Sequence, residues 1–201
     1  INKDTLKGFI QIGSSDEYGA NIAPQKENQR EMPISPYSIA KTSATHFLQM
    51  LYRTERFPAV ILRLFLVYGP GQDLSNLKQG MLSIYIAYIL KNQPVLVKGS
   101  LDRFRDFVYI DDVIDSLIKS IDYNKNYDVF NICSGTRTSV REALDSLFIT
   151  FKKPNYKIIN EGETPRDQFG IYGSNEKAKN ILGWYPQTNL SEGLLEIYNF
   201  I

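Results

Sequence analysis

Residues 59–68 read AVILRLFLVY, a run in which every side chain except that of Arg63 is apolar or aromatic. A strand with one solvated face alternates apolar and polar residues, whereas a strand covered on both faces is apolar throughout. The run ends at Gly69-Pro70-Gly71, which is typical of a sharp turn. We therefore predict a central strand of a parallel sheet, which must have helices packed on both of its faces.

The rest of the chain alternates between short strand-like segments and amphipathic helical segments. This alternation is typical of an α/β architecture, because parallel strands are joined by helical crossovers. Strands are predicted at residues 7–13, 95–97, 107–110, 129–132 and 156–159. Helices are predicted at 36–57, 80–91, 111–121 (capped by Asp111 and Asp112) and 175–182, with two more capped by Ser139 and Ser191.

The helix that begins at residue 36 carries a candidate pair for acid/base chemistry. Ser35 is a good N-cap and Pro36 suits the first helical position, so Tyr37 and Lys41 lie four residues apart on one helical face. A neighbouring ammonium favours the phenolate, and it lowers the pKa of a tyrosine from about 10 towards neutrality. A Tyr and a Lys with this spacing also occur by chance, so this interpretation depends on the residues around the pair.

The composition excludes several classes of partner. The 201 residues carry 23 basic and 22 acidic side chains, a net charge of +1 that gives no reason to expect nucleic acid or an anionic membrane surface. The single cysteine, Cys133, excludes an internal disulfide and a cysteine-based metal cluster, and no metal is expected. This cysteine usage, and the lack of any apolar run of about 18 residues, predict a cytoplasmic protein.

Five motifs come in an order that resembles one family. They are SSDEYG at 14–19, the pair Tyr37 and Lys41, LRLFLVYGPG at 62–71, RDFVYIDD at 105–112 and LGWYP at 182–186. Together they are similar to the extended short-chain dehydrogenase/reductases, specifically the NAD-dependent nucleotide-sugar epimerase/dehydratase group. The resemblance, which covers essentially the whole chain, implies an α/β fold with a partial Rossmann-type parallel sheet. Residues 1–70 would be the C-terminal part of the NAD-binding domain, and 71–201 mainly a smaller substrate-binding lobe with returning Rossmann elements.

The resemblance also implies three catalytic residues. Tyr37 would be the acid/base that exchanges a proton with a sugar hydroxyl, and Lys41 would lower its pKa and bind the ribose hydroxyls of the nicotinamide. The third residue is a hydroxyl at the end of the preceding strand. An alignment without gaps places Ser14 there, and a one-residue gap would place Ser15 there; we favour Ser14 and assign Ser15 to substrate binding. Either serine can instead be a turn hydroxyl bonded to its own backbone.

Further contacts to cofactor and substrate are implied in the same way. The backbone at Leu64 and Phe65 would pass the nicotinamide, whereas Leu66 stands where many relatives have a substrate-binding Asn. Arg105 would pair with the substrate diphosphate, since a guanidinium is planar and always charged. Arg166 is displaced by two residues from the usual position of a phosphate-binding arginine, so a solvated surface residue remains the alternative.

Two alternative interpretations involve acidic residues. Arg105 could instead form a surface ion pair with Asp102 or Asp106. Asp16 and Glu17 resemble the Asp-Glu pair by which 4,6-dehydratases eliminate water, but in the ungapped alignment they lie one residue too late. This offset makes the dehydratase the second interpretation.

The implied activity is NAD-dependent epimerisation of a nucleotide-diphospho-hexose, by oxidation and re-reduction at the sugar C4 through a 4-keto intermediate. The rivals are a 4,6-dehydratase, a 4-keto-sugar reductase and, from another class, a non-catalytic sugar-nucleotide-binding or dimerisation module. A homodimer is expected through the helix that bears Tyr37. Since the sequence lacks a Gly-rich turn that could receive the pyrophosphate of NAD, we expect an N-terminal portion to be missing. The chain would then be an inactive fragment that binds NAD weakly or not at all.

Overall fold

The computed structural model describes residues 6–78, 80–123, 127–162 and 168–201. Within these ranges the strands are β1 (Phe9–Ser14), β2 (Ala59–Leu64), β3 (Leu66–Tyr68), β4 (Val95–Val97), β5 (Phe104–Arg105), β6 (Phe107–Tyr109), β7 (Tyr127–Ile132), β8 (Thr138–Ser139) and β9 (Ile158–Asn160). The helices are α1 (Pro36–Glu55), α2 (Met81–Leu90), α3 (Ile110–Ile121), α4 (Val140–Thr150), α5 (Glu176–Leu182) and α6 (Leu190–Phe200).

Three of the strands form a parallel sheet in the order β1-β2-β7. In its register Ile61 of β2 lies between Gln11 of β1 and Val129 of β7. The first part of the apolar run is therefore the central strand that the sequence predicted. The α/β class with a Rossmann-type parallel sheet is confirmed.

Both faces of β2 are covered by helices. Ile61 is buried with Leu48 of α1 on one face. Leu62 is buried on the other face with Phe130 of β7 and Val113 of α3. Because neighbouring strand residues point to opposite faces, this double covering explains why the run is apolar at successive positions.

A second and larger core lies among the later elements, where α2, α4 and α6 pack around the parallel pairs β3–β6 and β4–β9. Strand β7 also belongs to the second part of the chain, yet it pairs with β2. The boundary near residue 70 stays a prediction. The buried residues of this core include Tyr85, Ile86, Val97, Leu144, Leu147 and Leu194.

The prediction of one continuous strand over 59–68 is wrong, because the chain changes pairing partner at Phe65. The Phe65 N–H donates to the carbonyl of Ile132, the last residue of β7, at 3.1 Å. The next N–H, that of Leu66, donates instead to the Asp106 carbonyl at 3.0 Å. Strand β3 then pairs with β6 instead of β7. The break directs the chain from the first sheet into the second core.

Two predicted helix caps are also wrong. Helix α6 is capped by Asn189, whose side chain accepts the Glu192 N–H at 3.0 Å, and not by Ser191. Helix α3 has no side-chain cap from Asp111 or Asp112. The Asp112 carboxylate instead accepts backbone N–H groups of residues 187 and 188, at 2.9 and 3.1 Å, and so attaches the segment before α6 to α3.

Candidate active site

The carboxyl end of β1 leads into a short 3₁₀ turn, which we call the Ser14 turn (residues 14–18). The Ser14 Oγ accepts the backbone N–H of Asp16 at 3.2 Å, and the Glu17 carboxylate accepts the N–H of Ser14 at 2.9 Å. Ser14 and Ser15 are both buried. The hydroxyl of Ser14 is thus bonded to local backbone, which is the turn role left open above, and it also lies at the strand end where a catalytic hydroxyl is expected.

Helix α1 begins as the sequence predicted. The Ser35 Oγ accepts the N–H of Ser38 at 3.1 Å, and the Ser38 Oγ accepts the N–H of Ser35 at 2.9 Å. Pro36 occupies the first turn, where a missing N–H has no cost. This cap fixes where the helix starts, and so fixes which face carries Tyr37.

Tyr37 and Lys41 lie side by side on α1. The Lys41 Nζ is 5.7 Å from the centre of the Tyr37 ring, and it donates a hydrogen bond of 2.8 Å to the Ile12 carbonyl on β1. Tyr37 is 54% exposed, so its phenol is open to a ligand. The structure therefore brings the phenol and the ammonium together beside the strand that ends at Ser14. Their catalytic roles stay predictions.

A cleft of about 250 Å³ opens at the start of α1, where Ser35 and Ser38 line it, and we call it the Arg105 cleft. The guanidinium of Arg105, which is 8% exposed, donates to the Phe104 carbonyl at 2.8 Å. Burial, and next the charge of Arg103, lower the pKa of Arg105 to about 10, so it stays charged near neutrality. Arg105 is therefore a buried residue and not a surface one, and its pairing with Asp102 or Asp106 stays an untested alternative. The cleft is lined by Asp16, Ile34, Ser35, Ser38, Leu66, Arg105, Gln168 and Ile171.

Asp16 is the acidic group of the Arg105 cleft. Burial raises the pKa of its carboxyl above the usual value, and the charge of Arg105 opposes this shift. Its partner in the dehydratase interpretation, Glu17, is fully buried and ion-paired with Arg63 at 3.1 Å. The two carboxylates therefore do not face the cleft together.

The predicted cofactor residues at the end of β2 present backbone more than side chain. Leu64 is half-buried, and the Phe65 ring is buried with Tyr18, Cys133 and Ile171. A Cβ at Gly173 would lie 2.4 Å from that ring, so the close approach of the two residues requires glycine. Contact of this segment with a nicotinamide stays a prediction. Arg166 lies outside the described residues.

Sequence reasoning missed a buried polar network around Arg63. The guanidinium is 1% exposed, lies 4.6 Å from the centre of the Tyr18 ring, and is ion-paired with Glu17 and Glu31. The Tyr18 hydroxyl in turn donates to the Asn131 side chain at 2.6 Å. A lone charge in an otherwise apolar strand was the signal that could have indicated this network.

A second buried carboxylate, that of Asp106, holds the loops that follow β7 and precede α5. One oxygen accepts the N–H and the hydroxyl of Ser134, both at 2.7 Å. The other accepts the N–H groups of Gly135 and Gly173 at 3.0 and 3.2 Å. Burial raises the pKa of Asp106 to about 6. Asp106 therefore organises backbone next to the Arg105 cleft.

The described residues contain neither a metal-binding cluster nor a membrane-spanning helix. No group of three or more His, Cys, Asp or Glu among them is arranged to hold a metal ion. In the same part of the chain, no helix combines the length and the apolar character that crossing a membrane requires.

The similarity of the chain to known proteins identifies its family. The profile of the family described as GDP-mannose 4,6 dehydratase matches residues 2–197. The chain belongs to this family. This confirms the extended short-chain dehydrogenase/reductase assignment, in the nucleotide-sugar epimerase/dehydratase group. The chain is 34% identical over 196 residues to a putative UDP-glucose 4-epimerase of Methanocaldococcus jannaschii, and 27% identical over 178 residues to a dTDP-4-dehydro-6-deoxyglucose reductase of Escherichia coli.

Solved structures of this epimerase/dehydratase group share the fold. A UDP-glucose 4-epimerase of Thermotoga maritima with UDP-glucose matches with a TM-score of 0.91 and 30% identity, over 98% of this chain. A UDP-glucuronic acid 4-epimerase of Bacillus cereus, in complex with UDP-glucuronic acid and NAD, matches with a TM-score of 0.88 and 28% identity over 98% of this chain. The chain spans 62% of the Methanocaldococcus relative and 63% of the Thermotoga structure.

Proposed function

We propose that the protein is an NAD-dependent nucleotide-sugar 4-epimerase, which oxidises C4 of a nucleotide-diphospho-hexose and re-reduces the 4-keto sugar from the opposite face. The observation that carries the proposal is the exposed phenol of Tyr37 beside Lys41, next to the Ser14 turn. Ligands of open α/β sheets bind at the carboxyl ends of strands, where Ser14 lies. The 34% sequence identity to a putative UDP-glucose 4-epimerase supports epimerisation as the reaction.

The donor groups present suit the nicotinamide end of NAD. An ammonium has three N–H donors, so Lys41 can bind a ribose hydroxyl while it remains bonded to Ile12. Bound NAD supplies a hydride acceptor and donor. The sequence offers no Gly-rich turn for the pyrophosphate, so we propose that the 201-residue chain binds NAD weakly and has no turnover by itself. Isothermal titration tests this, and micromolar affinity for NAD⁺ would contradict it.

The chain's own residues would then manage the proton at the sugar C4 oxygen. The Tyr37 phenolate removes the proton from the C4 hydroxyl, and the phenol returns it when the ketone is reduced. The charge of Lys41 stabilises the phenolate between these steps. The Ser14 hydroxyl, whose oxygen accepts the Asp16 N–H, has its own proton to donate to the same sugar oxygen.

Arg105 would hold the substrate diphosphate. A buried, charged guanidinium in a cleft binds phosphate oxygens strongly, because few water molecules compete with the ligand. Asp16 and the aliphatic side chain of Leu66 line the same cleft, so they would lie near a substrate bound by Arg105. The Asn that many relatives have at position 66 is absent, so other groups must contact the hexose there.

The same cleft bears on the rival activities. A dehydratase that uses Asp16 and Glu17 together is disfavoured, because the Glu17 carboxylate is buried against Arg63. A 4-keto-sugar reductase is the second candidate, supported by the similarity to the Escherichia coli reductase. A binding module without turnover is the candidate from a different class.

One assay distinguishes these activities. The protein as its gene encodes it, with any residues that precede Ile1, is incubated with NAD and UDP-glucose, and in parallel with dTDP- and GDP-hexoses. Epimerisation gives a changed hexose, whereas dehydration gives a 4-keto-6-deoxy product. A 4-keto-6-deoxy substrate consumed only with NADH or NADPH indicates the reductase. Absence of turnover with every substrate would contradict the proposed function.

We also propose a homodimer that packs through α1. Ile39, Phe47 and Met50 are large apolar residues on this helix, and all three are exposed. Their spacing of eight and three residues places them along one side of α1. An exposed apolar stripe of this kind is typical of a helix that packs against another chain.

A further inference from the structure

Glu17 is a buried charged residue whose carboxylate contacts three different parts of the chain. One oxygen accepts the N–H of Ser14 at 2.9 Å. The other accepts the hydroxyl of Thr45 on α1 at 2.8 Å and the Nε of Arg63 on β2 at 3.1 Å. One side chain therefore joins the Ser14 turn, the helix that bears Tyr37 and the central strand.

The charge of the buried Glu17 carboxylate is compensated by Arg63. Burial of a carboxylate is unfavourable unless a counter-charge lies beside it, and Arg63 supplies that charge. A buried ion pair is weak evidence for stability, because apolar residues of similar volume often stabilise a fold as well. What hydrogen bonds add is a fixed distance and direction between the groups that they join.

The backbone around Glu17 is fitted to its carboxylate. A Cβ on Gly13 would lie 2.7 Å from the Glu17 oxygen and 3.0 Å from the Ile61 side chain. Those distances are too short for a side chain, so the close approach of the carboxylate to β1 requires glycine. The position of the Glu17 carboxylate is thus limited by β1 and β2 as well as by its bond to α1.

Helix α1 is attached to the end of β1 at two points on one face. Lys41 bonds to the Ile12 carbonyl, and Thr45, one helical turn later, bonds to Glu17. The same Glu17 carboxylate accepts the N–H of Ser14, so it connects Thr45 to the Ser14 turn. The chain of bonds from Thr45 to Ser14 therefore fixes the distance between the helix and the turn.

We propose that Glu17 is a positioning residue, which sets the Ser14 hydroxyl at its working distance from Tyr37 through its bond to Thr45. The proposal rests on the function proposed above, because it requires Ser14 and Tyr37 to act on one sugar oxygen. Misplacement of a reacting group by about 1 Å can lower a rate roughly a hundredfold. Since Glu17 is fully buried, its effect is exerted through Ser14 and not by contact with substrate.

The hydrogen bond between Thr45 and Glu17 is best removed by substitution of Thr45. Glu17→Ala would leave Arg63 with less counter-charge and can prevent folding, whereas Thr45→Val keeps the side-chain shape and leaves the Glu17–Arg63 pair intact. We expect Thr45→Val to lower kcat roughly tenfold or more, with KM for the nucleotide sugar changed less than about twofold. Thr45→Ser retains a hydroxyl and is expected to recover most of the kcat.

The matched control is Thr54→Val on the same helix, where the hydroxyl bonds to the Met50 carbonyl at 3.0 Å, far from the Ser14 turn. It should leave kcat unchanged. Equal kcat values for Thr45→Val and Thr54→Val would overturn the positioning role, as would a loss that Thr45→Ser does not recover. All of these variants are made in the protein as its gene encodes it, with any residues that precede Ile1. If that protein, unaltered, converts no nucleotide sugar, the proposed function itself fails, and this inference fails with it.

Discussion

The Lys41 ammonium lies 2.8 Å from the backbone carbonyl oxygen of Ile12, so the first turns of α1 are attached to the last residues of β1. The same nitrogen lies 5.7 Å from the centre of the Tyr37 ring. Because an ammonium has three donors, the bond to Ile12 orients Lys41 without using up its capacity to bind. We therefore expect Lys41 to contribute more to catalysis than to stability.

Replacement of this ammonium tests that expectation. Lys41→Met should lower kcat/KM by on the order of a hundredfold, while the free energy of unfolding falls by only about 1 kcal/mol. Steady-state kinetics and urea denaturation measure the two effects. Lys119→Met is the control, because Lys119 also donates from a helix to a backbone carbonyl, that of Gly183 at 3.1 Å, on a different helix. Equal losses of activity in both variants would contradict a special role for Lys41.

The phenol itself is tested by Tyr37→Phe, which keeps the ring and removes the proton carrier. We expect kcat to fall by roughly a hundredfold to ten-thousandfold. Binding of the nucleotide sugar, measured by calorimetry, should be unchanged, because the proposed diphosphate contact lies at Arg105. Full activity in this variant would exclude Tyr37 as the acid/base.

Local signals explain what the sequence predicted correctly. The start of α1 follows from Ser35 and Pro36, whose preferences act within one helical turn. The central strand was predicted from a continuous apolar run, since such a run places apolar side chains on both faces of a strand. The cap of α6 was missed because Ser191 and Asn189 are both good caps, and Glu192, three residues after Asn189, should have decided between them.

The remaining differences arise from contacts between distant residues. The break at Phe65 depends on the Asp106 carbonyl, which belongs to a later strand and gives no local signal at position 65. Arg63 was visible as a charge in an apolar run, but its partner Glu17 lies 46 residues earlier. Hydrophobic patterning identifies which residues are buried, and it does not identify which buried polar groups meet.

Asp106 offers a prediction about stability. In Asp106→Asn one of the two acceptor oxygens becomes an NH₂ group, which then faces N–H donors such as those of Gly135 and Gly173. Leaving buried donors unsatisfied should cost about 3 kcal/mol, and thermal denaturation should show a midpoint lowered by roughly 6–12 °C. The control Asp115→Asn changes a surface ion pair with Lys119 and should shift the midpoint little. Similar midpoints for the two variants would contradict this role of Asp106.

Glu31 gives a prediction about pH. Burial is the largest single effect on the pKa of Glu31 and opposes its ionisation. The hydrogen bond and charge of Arg63, a backbone hydrogen bond and the charge of His46 together outweigh burial, so the pKa of Glu31 lies below its ordinary value of 4.5. A lowered pKa contributes stability that is present above pH 4.5 and is lost as the pH falls through the folded-state value. The difference in unfolding free energy between the unaltered protein and Glu31→Gln should therefore be largest above pH 4.5 and shrink on acidification. Urea denaturation at several pH values measures it, and a difference that does not vary with pH would contradict the ion pair.

The proposed dimer is tested on α1 by Phe47→Glu. Phe47 is 57% exposed, and a carboxylate at this position could be buried between two copies of the helix only at a high cost in desolvation. We expect light scattering after gel filtration to show a dimer for the unaltered protein and a monomer for the variant, with little change in secondary structure. Ile118→Glu on α3 is the matched control, since Ile118 has the same exposure and lies on another helix. A dimer that survives Phe47→Glu, or is lost equally with Ile118→Glu, would place the interface elsewhere than on α1.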